Sequence, residues 1–467
     1  MTITRRCFGK WGMGAAALAA LRPGELWAQE KNMWEAFGLK PVGTLPARPS
    51  AAIQASPLSV GFETLDRKLF EPAKTFGLAA QLGVKWARCQ TGWARCEKAK
   101  GVYDFAWLDE VVDGLLKIGI QPWFNLGYGN PLYTPKADAT AVGWVPVFDE
   151  ATMAAWKAFT AALAEHFKGR VTHWEIWNEP NITGFWKPGK PDAASYVKLV
   201  EQTAPVIREK VSGAVIIGGA FAGIPMGYIE SCLKAGLGKH IDKMSYHPYR
   251  PSPEKGYEDE IKKMRALLKE NGAEHVKLWQ GENGCPSKKG SSGALSQQEW
   301  TETRQAKWVT RRVLSDLKNE VELSSYFLIV DLIGYGGKTN FKGLLRGEDY
   351  SAKPAYYAYR NLCALFDAET KRSKMGFKLE GVEKKETCAA GFTRKGKPLV
   401  AYWALAELVQ DVPAKKVKAV LEDEAVKGMA KPALLDSLTG QVYAVNSFDA
   451  LPLADYPLIL GDASVFL

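Results

Sequence analysis

The 467-residue sequence lacks several common functional signatures. It has no CxxC pair and no clustered His/Cys spacing, so nothing in it points to a metal site or a cofactor. No compact Lys/Arg block with interleaved aromatics occurs, which argues against nucleic acid as a partner. The mixed-charge stretches KGKPLV and AKKVKAVLEDEAVK read as solvated faces. No Gly-rich phosphate loop follows an early strand-like run, as a dinucleotide-binding sheet would require. Low-complexity tracts are absent. Apart from a short apolar stretch from Trp11 to Leu21, no segment approaches the length of a membrane span.

Cysteine is also sparse. Of seven, Cys7 lies near the N-terminus, and only Cys89 and Cys96, in CQTGWARC, sit close together. The N-terminus reads TRRCFGKWGMGAAALAALRPGELWAQE. Its Arg5-Arg6 pair ahead of a mildly apolar stretch resembles a twin-arginine export signal over residues 1–28, with Ala28 as the cleavage point. Cleavage there removes four positive charges and one negative, lowering the formal charge from +10 to +7. The expectation is a periplasmic or secreted protein with no membrane span after signal removal; the alternative is an uncleaved anchor. Export would permit a Cys89–Cys96 disulfide, although twin-arginine substrates usually fold in a reducing compartment first.

What is present is a rhythm. After a Pro/Ala/Ser-rich arm (29–57), eight short apolar runs end in polar or aromatic residues: 58–63, 84–90, 120–126, 171–179, 214–219, 241–247, 276–282 and 324–331. Segments with apolar residues three and four apart separate them, such as FAWLDEVVDGLLKIG and YEDEIKKMRALLKENG, which stop at Gly119 and Gly272. Eight strand–helix units over 58–367 predict an α/β fold, a (β/α)8 TIM barrel, in preference to a doubly wound sheet. From about residue 371 to 467, short runs alternate with turn signals every ten to fifteen residues. That texture predicts a small C-terminal antiparallel β-sandwich domain. It shows no obvious aromatic triplet for binding a polysaccharide, which favours a structural role.

In a barrel, chemistry sits at the C-terminal ends of the strands. Glu179 closes the fourth run, in HWEIWNEP, and Glu282 closes the seventh, in KLWQGENG. Far apart in sequence, they would face each other across the mouth, and two carboxyls flanking a bond are what glycosidic cleavage needs. A carboxyl beside indole rings tends to hold its proton, so Glu179 is the expected acid.

Trp177-Asn178-Glu179-Pro180 resembles the fourth-strand signature of clan A glycoside hydrolases. With the β domain behind the barrel, the chain is most similar to family 39-like enzymes. The resemblance covers roughly residues 58–366. It implies a retaining glycoside hydrolase with Glu179 as acid/base and Glu282, in WQGENG, as nucleophile, and carboxyls about 5–5.5 Å apart. It further implies that Asn178 binds the sugar 2-hydroxyl, that His247 and Tyr249, in SYHPY, steady the nucleophile, and that Arg88, in WARCQ, lies beneath it. The eighth run departs from many relatives, which end it in Trp; here Phe327 or Asp331 is the candidate.

Position at strand ends adds Glu63, Asp66, Asn125, Tyr128 and Asp331 as groups for sugar hydroxyls. Trp93, Trp186 and Trp279 are candidate stacking platforms, with core packing as the alternative. The expected partner is an oligo- or polysaccharide; oligomeric state stays open. A transglycosylase using the same residues, or a non-catalytic carbohydrate-binding barrel, are the competing readings.

Overall fold

The computed structural model describes residues 34–409, 415–422, 424 and 427–467. The expected export segment, 1–28, lies outside them.

Eight parallel strands close into a barrel: β2 (Leu58–Phe62), β3 (Trp86–Gln90), β4 (Gln121–Leu126), β5 (His173–Ile176), β6 (Val215–Ala222), β7 (Lys243–His247), β8 (Lys277–Asn283) and β9 (Leu323–Tyr326). They pair in chain order, and β9 returns to β2 through Ser324–Leu58 to Tyr326–Val60. A helix follows each strand: α1 (Pro72–Leu82), α2 (Ala106–Lys117), α3 (Glu150–His166), α4 (Ala193–Lys210), α5 (Met226–Lys234), α6 (Tyr257–Glu270), α7 (Glu302–Lys318) and α8 (Pro354–Leu365). Their ends carry ordinary stop and start chemistry. Asp149, Asp192 and Thr301 accept from backbone N–H groups of the first turns of α3, α4 and α7. Gly119 and Gly272, just past α2 and α6, have φ of +81° and +68°, which glycine adopts without strain.

The eight predicted runs coincide with the eight barrel strands, because strands covered on both faces read as near-continuous apolar runs. Inside the barrel, at the end where the strands begin, Trp123, Trp279, Ile217 and Leu323 pack together.

The strands that follow the barrel build two antiparallel sheets. They are β10 (Thr370–Ser373), β11 (Phe377–Glu380), β12 (Thr387–Arg394), β13 (Lys397–Ala404), β14 (Lys415–Leu421), β15 (Pro432–Asp436), β16 (Gln441–Ala444), β17 (Leu451–Leu453) and β18 (Leu458–Asp462). One sheet has seven strands and the other joins β11, β14 and β17. The arm, which reads as a linker or a wrapping arm, is in part a strand. Residues Lys40–Thr44, β1, pair with β16 at the edge of the seven-stranded sheet, so the chain enters through the same sheet in which it ends.

Helix α7 carries many charges, yet Gln305 to Asp316 are all buried. Its outward face lies against the C-terminal strands and their loops: Lys307 Nζ is 2.9 Å from Asp455 Oδ1, and Arg311 donates to Glu254 and to the carbonyl of Ala406. The buried charges are paired, as burial demands.

Cys89 and Cys96 are both buried free thiols. The disulfide that export would permit is not formed in this structure.

Candidate active site

The strand ends converge on a pocket of about 210 Å3 lined by Glu63, Asn178, Glu179, Tyr249 and Glu282, among others. Each comes from a different barrel unit, except the adjacent Asn178 and Glu179.

The WNEP segment reaches the pocket through an unusual backbone. Trp177 and Glu179 have φ of +73° and +47°, a region that non-glycine residues enter only when held there. The hold is visible: Trp177 N–H donates to Leu126 O at 3.1 Å, and Glu179 N–H donates to Ala220 O at 2.8 Å, pinning the turn between β4 and β6. Trp177 itself is buried, with its indole N–H on Phe185 O, and packs on Trp156, Trp186 and Tyr128. Burial pushes the Glu179 carboxyl up to about 7, with the Arg88 guanidinium opposing that rise.

Glu282, at the end of β8, accepts hydrogen bonds at both oxygens. Arg88 Nη1 donates to Oε2 at 2.7 Å and Tyr249 OH donates to Oε1 at 2.8 Å. His247 stands between the two acids, with Nδ1 3.1 Å from Glu179 Oε1 and 3.8 Å from Glu282 Oε2. Burial holds its imidazole down to about 4, so it is neutral near pH 7. An oxygen of each carboxyl and a nitrogen of His247 lie within 4.8 Å of one another. These three side chains could also serve as ligands to a metal ion.

Arg88 organises the floor. Fully buried, it donates to Glu63 Oε1 at 3.0 Å, to Glu175 through Nε and Nη2, and to Asn178 Oδ1 at 2.9 Å. Asn125 Nδ2 donates to Glu175 Oε2 at 2.9 Å and to Trp177 O at 2.7 Å. Arg88 therefore holds three residues that line the pocket, Glu63, Asn178 and Glu282, while Asn125 holds Glu175 and the Trp177 carbonyl behind them.

Two expected sugar contacts are corrected. Trp279 lies deep in the barrel at the opposite end from the pocket. It stacks on His173 and packs edge-on against Trp123, and its indole N–H donates to Glu322 at 2.6 Å. Its register beside Ser245 and Leu323 places it three residues short of the mouth. Asp331 is buried in an ion pair with Lys353, 2.7 Å away, and accepts from the Gly343 N–H; it braces the loop that follows β9. Trp93 and Trp186 are buried core residues, so neither offers a stacking face. Asp66 pairs with Arg67, while Tyr128 and Phe327 do line the pocket.

Several groups escaped the sequence reading. Glu175 is a charge flanked in its strand by two buried apolar residues, Trp174 and Ile176, and that placement was the available signal. Gln90, Arg67, Phe185, Tyr335 and Lys342 complete the wall. Tyr335 belongs to a hairpin (Leu332–Tyr335 with Lys338–Asn340) whose available signal was the two-residue Gly336-Gly337 turn, both glycines at positive φ.

A barrel mouth with paired carboxyls above a buried arginine defines a class of carbohydrate-active barrels. The family model "Glycosyl hydrolases family 39" matches residues 78–331, and the chain belongs to that family. A beta-xylosidase from Geobacillus stearothermophilus is 26% identical over 206 residues, 38% of this chain and 40% of that protein. A beta-xylosidase from Caldicellulosiruptor saccharolyticus is 29% identical over 164 residues, 32% of this chain and 31% of that one. The matched stretch thus spans two fifths or less of each of these relatives. Among solved structures, a family 39 glycoside hydrolase from Bacteroides cellulosilyticus WH2 shares the fold with a TM-score of 0.66 and 20% identity, covering 88% of this chain and 81% of that one. A monomeric beta-xylosidase from Caulobacter crescentus CB15 does so with a TM-score of 0.60 and 17% identity, covering 90% and 97%.

Proposed function

We propose that the protein is a retaining β-glycosidase that cleaves a β-linked glycan by double displacement. Glu282 is the nucleophile and Glu179 the acid/base. The observation that carries this reading is the closeness of the pair: an oxygen of each carboxyl lies within 4.8 Å of the other, which fits the carboxyl separation of about 5–5.5 Å in retaining enzymes better than the roughly 6.5–9.5 Å of inverting ones.

In the first step Glu282 attacks the anomeric carbon while Glu179 protonates the departing oxygen. Burial supplies an acid still protonated near neutral pH. Arg88 and Tyr249, donating to Glu282, hold it in line for attack. In the second step Glu179, now ionised, takes a proton from water, which releases the sugar with its configuration retained. Neutral His247 keeps Glu179 oriented without adding a charge beside it. Asn178, fixed through its Oδ1 by Arg88, keeps its amide N–H groups for the sugar 2-hydroxyl.

The small pocket supports action at chain ends, on one sugar ring at a time. The names of the curated relatives favour a xyloside among the candidates. We read the two antiparallel sheets as the layers of a structural sandwich, since Phe377 and Tyr402 face each other at 5.7 Å and Tyr402 OH donates to Pro452 O. We read the N-terminus as an export signal, which sequencing the N-terminus of the mature protein would test. The test of the activity is a panel of aryl β-glycosides, with the anomer of the first-formed product read by NMR. Turnover with retained configuration is expected; inversion, or no turnover of any glycoside or polymer, would sink the reading.

A further inference from the structure

Glu63 sits immediately after β2, lines the pocket, and is held by a single hydrogen bond, from Arg88 Nη1 to Oε1. Its other oxygen, Oε2, is buried and has no partner among the described residues. The space it occupies is reserved. A Cβ on Gly61 would come within 3.1 Å of Glu63 Cγ and Oε1, so the glycine below lets the carboxyl fold back over the strand.

The same guanidinium faces three carboxyls with one positive charge. Glu175 takes two of its nitrogens and the amide of Asn125. Glu282 takes Arg88 and Tyr249. Glu63 is the least compensated of the three, and an unpaired buried carboxylate is the costliest to keep charged. The titratable and charged groups that face it are Arg88 and Cys89 from β3, Glu175 from β5, Glu282 from β8, and Tyr249 and Tyr335 from the loops above. Only Arg88 among them is a cation, and burial carries the Glu63 carboxyl up to about 8.

Building on the glycosidase reading, we propose that Glu63 is a specificity-determining residue that works as a neutral carboxylic acid. Its free oxygen donates a hydrogen bond to one hydroxyl of the terminal sugar, and its neutrality leaves the charge of Arg88 to Glu282 and Glu175. An ionised Glu63 would compete with the nucleophile for Arg88 Nη1, which both now share at 3.0 and 2.7 Å.

The test compares wild type with Glu63→Gln and Glu63→Ala in the full chain, using the aryl glycoside that is cleaved and its monodeoxy analogues. An amide reproduces the neutral acid, accepting from Arg88 and donating to the sugar, so Glu63→Gln should keep kcat/KM within about threefold. Glu63→Ala should lose about tenfold on the parent, the usual worth of one neutral hydrogen bond. It should lose almost nothing further on the one deoxy analogue that lacks the bonded hydroxyl. A purely structural role would lower all substrates alike. The proton is read separately and without substrate. In protein labelled with 13C at the glutamate carboxyls, the resonance missing from Glu63→Gln should titrate near pH 8. A midpoint below 5, a Glu63→Gln as impaired as Glu63→Ala, or unchanged discrimination among deoxy analogues in Glu63→Ala overturns the proposal. Failure of wild type to cleave any glycoside overturns instead the glycosidase reading on which it rests.

Discussion

Replacing Glu179 with glutamine tests the division of labour between the two acids most directly. With its carboxyl at about 7, half of Glu179 is protonated at that pH and about one tenth a unit higher. For a substrate with a poor leaving group, wild-type kcat/KM should therefore fall about tenfold per pH unit above about 7. Glu179→Gln should lower it by about two to four orders of magnitude and remove the limb that begins near pH 7, leaving only the fall above about 8 where Glu63 ionises. A dinitrophenyl glycoside needs no proton on its leaving group. Its kcat/KM should fall far less, while kcat collapses because the glycosyl-enzyme has lost its base. Added azide, which needs no base, should restore turnover and yield the glycosyl azide of retained configuration. The same carboxyl sets a stability trend. Its ordinary value is 4.5 and its folded value about 7, so the native state holds the extra proton between them. Stability from this group is complete below about 4.5 and is lost as pH rises through about 7, by roughly 3 kcal/mol in all. Glu179→Gln should accordingly match the wild-type Tm at pH 4 and exceed it at pH 8. Equal losses on both leaving groups, or an alkaline limb that still begins near pH 7 in Glu179→Gln, would refute the assignment.

Other outcomes follow from the same geometry. Glu282→Ala should abolish turnover of every glycoside, and azide should return an azide product of inverted configuration, read by NMR. Trp279→Phe should leave KM unchanged while lowering the Tm, because the indole fills the lower barrel and bonds Glu322; a loss of about 1–3 kcal/mol in denaturant unfolding is expected. Lys353→Met should cost about 3–5 kcal/mol by leaving Asp331 buried without its cation, and Lys353→Met/Asp331→Asn together should recover much of it.

The barrel was legible because its signal is local. Each parallel strand is a short apolar run, each helix has its own periodicity and cap, and their alternation dictates the closure. Glu179 and Glu282 were legible because a carboxyl at a strand end has a position along the barrel axis that follows from the strand alone. Depth misled the reading of Trp279, which sits in the same strand as Glu282 but three residues lower, where indoles pack against one another. Asp331 was misplaced because the eighth run outlasts its strand. The regular ladder with β2 ends at Tyr326, one isolated bond from Ile329 N–H to Gly61 O follows, and the chain then turns away to the ion pair with Lys353. The pairing of Lys40–Thr44 with Gln441–Ala444 joins residues some 400 positions apart, and no window of sequence carries such a contact.

The site's chemistry follows from how few charges it contains. Four carboxyls, Glu63, Glu175, Glu179 and Glu282, surround one guanidinium, and the imidazole beside them is held neutral. Arg67 on the wall is paired with Asp66, and Lys342 bonds Ser292 O and Asn340, so among the described residues Arg88 is the one cation bonded to any of these four acids, and in a buried space some of them must keep their protons. Two are raised by burial: Glu63, with one bond to Arg88 and its other oxygen unpartnered, and Glu179, with no bond to Arg88. The acid that Arg88 and Tyr249 both grip is Glu282. A donor acid and an accepting carboxylate thus arise from the unequal reach of a single arginine. Removing Arg88 should therefore erase the difference between them rather than merely weaken the fold. Arg88→Met, provided it folds, should lose kcat on dinitrophenyl and alkyl glycosides alike, because attack by Glu282 is required whether or not the leaving group needs a proton. A variant that still cleaved the dinitrophenyl glycoside at the wild-type rate would show that the nucleophile does not depend on Arg88.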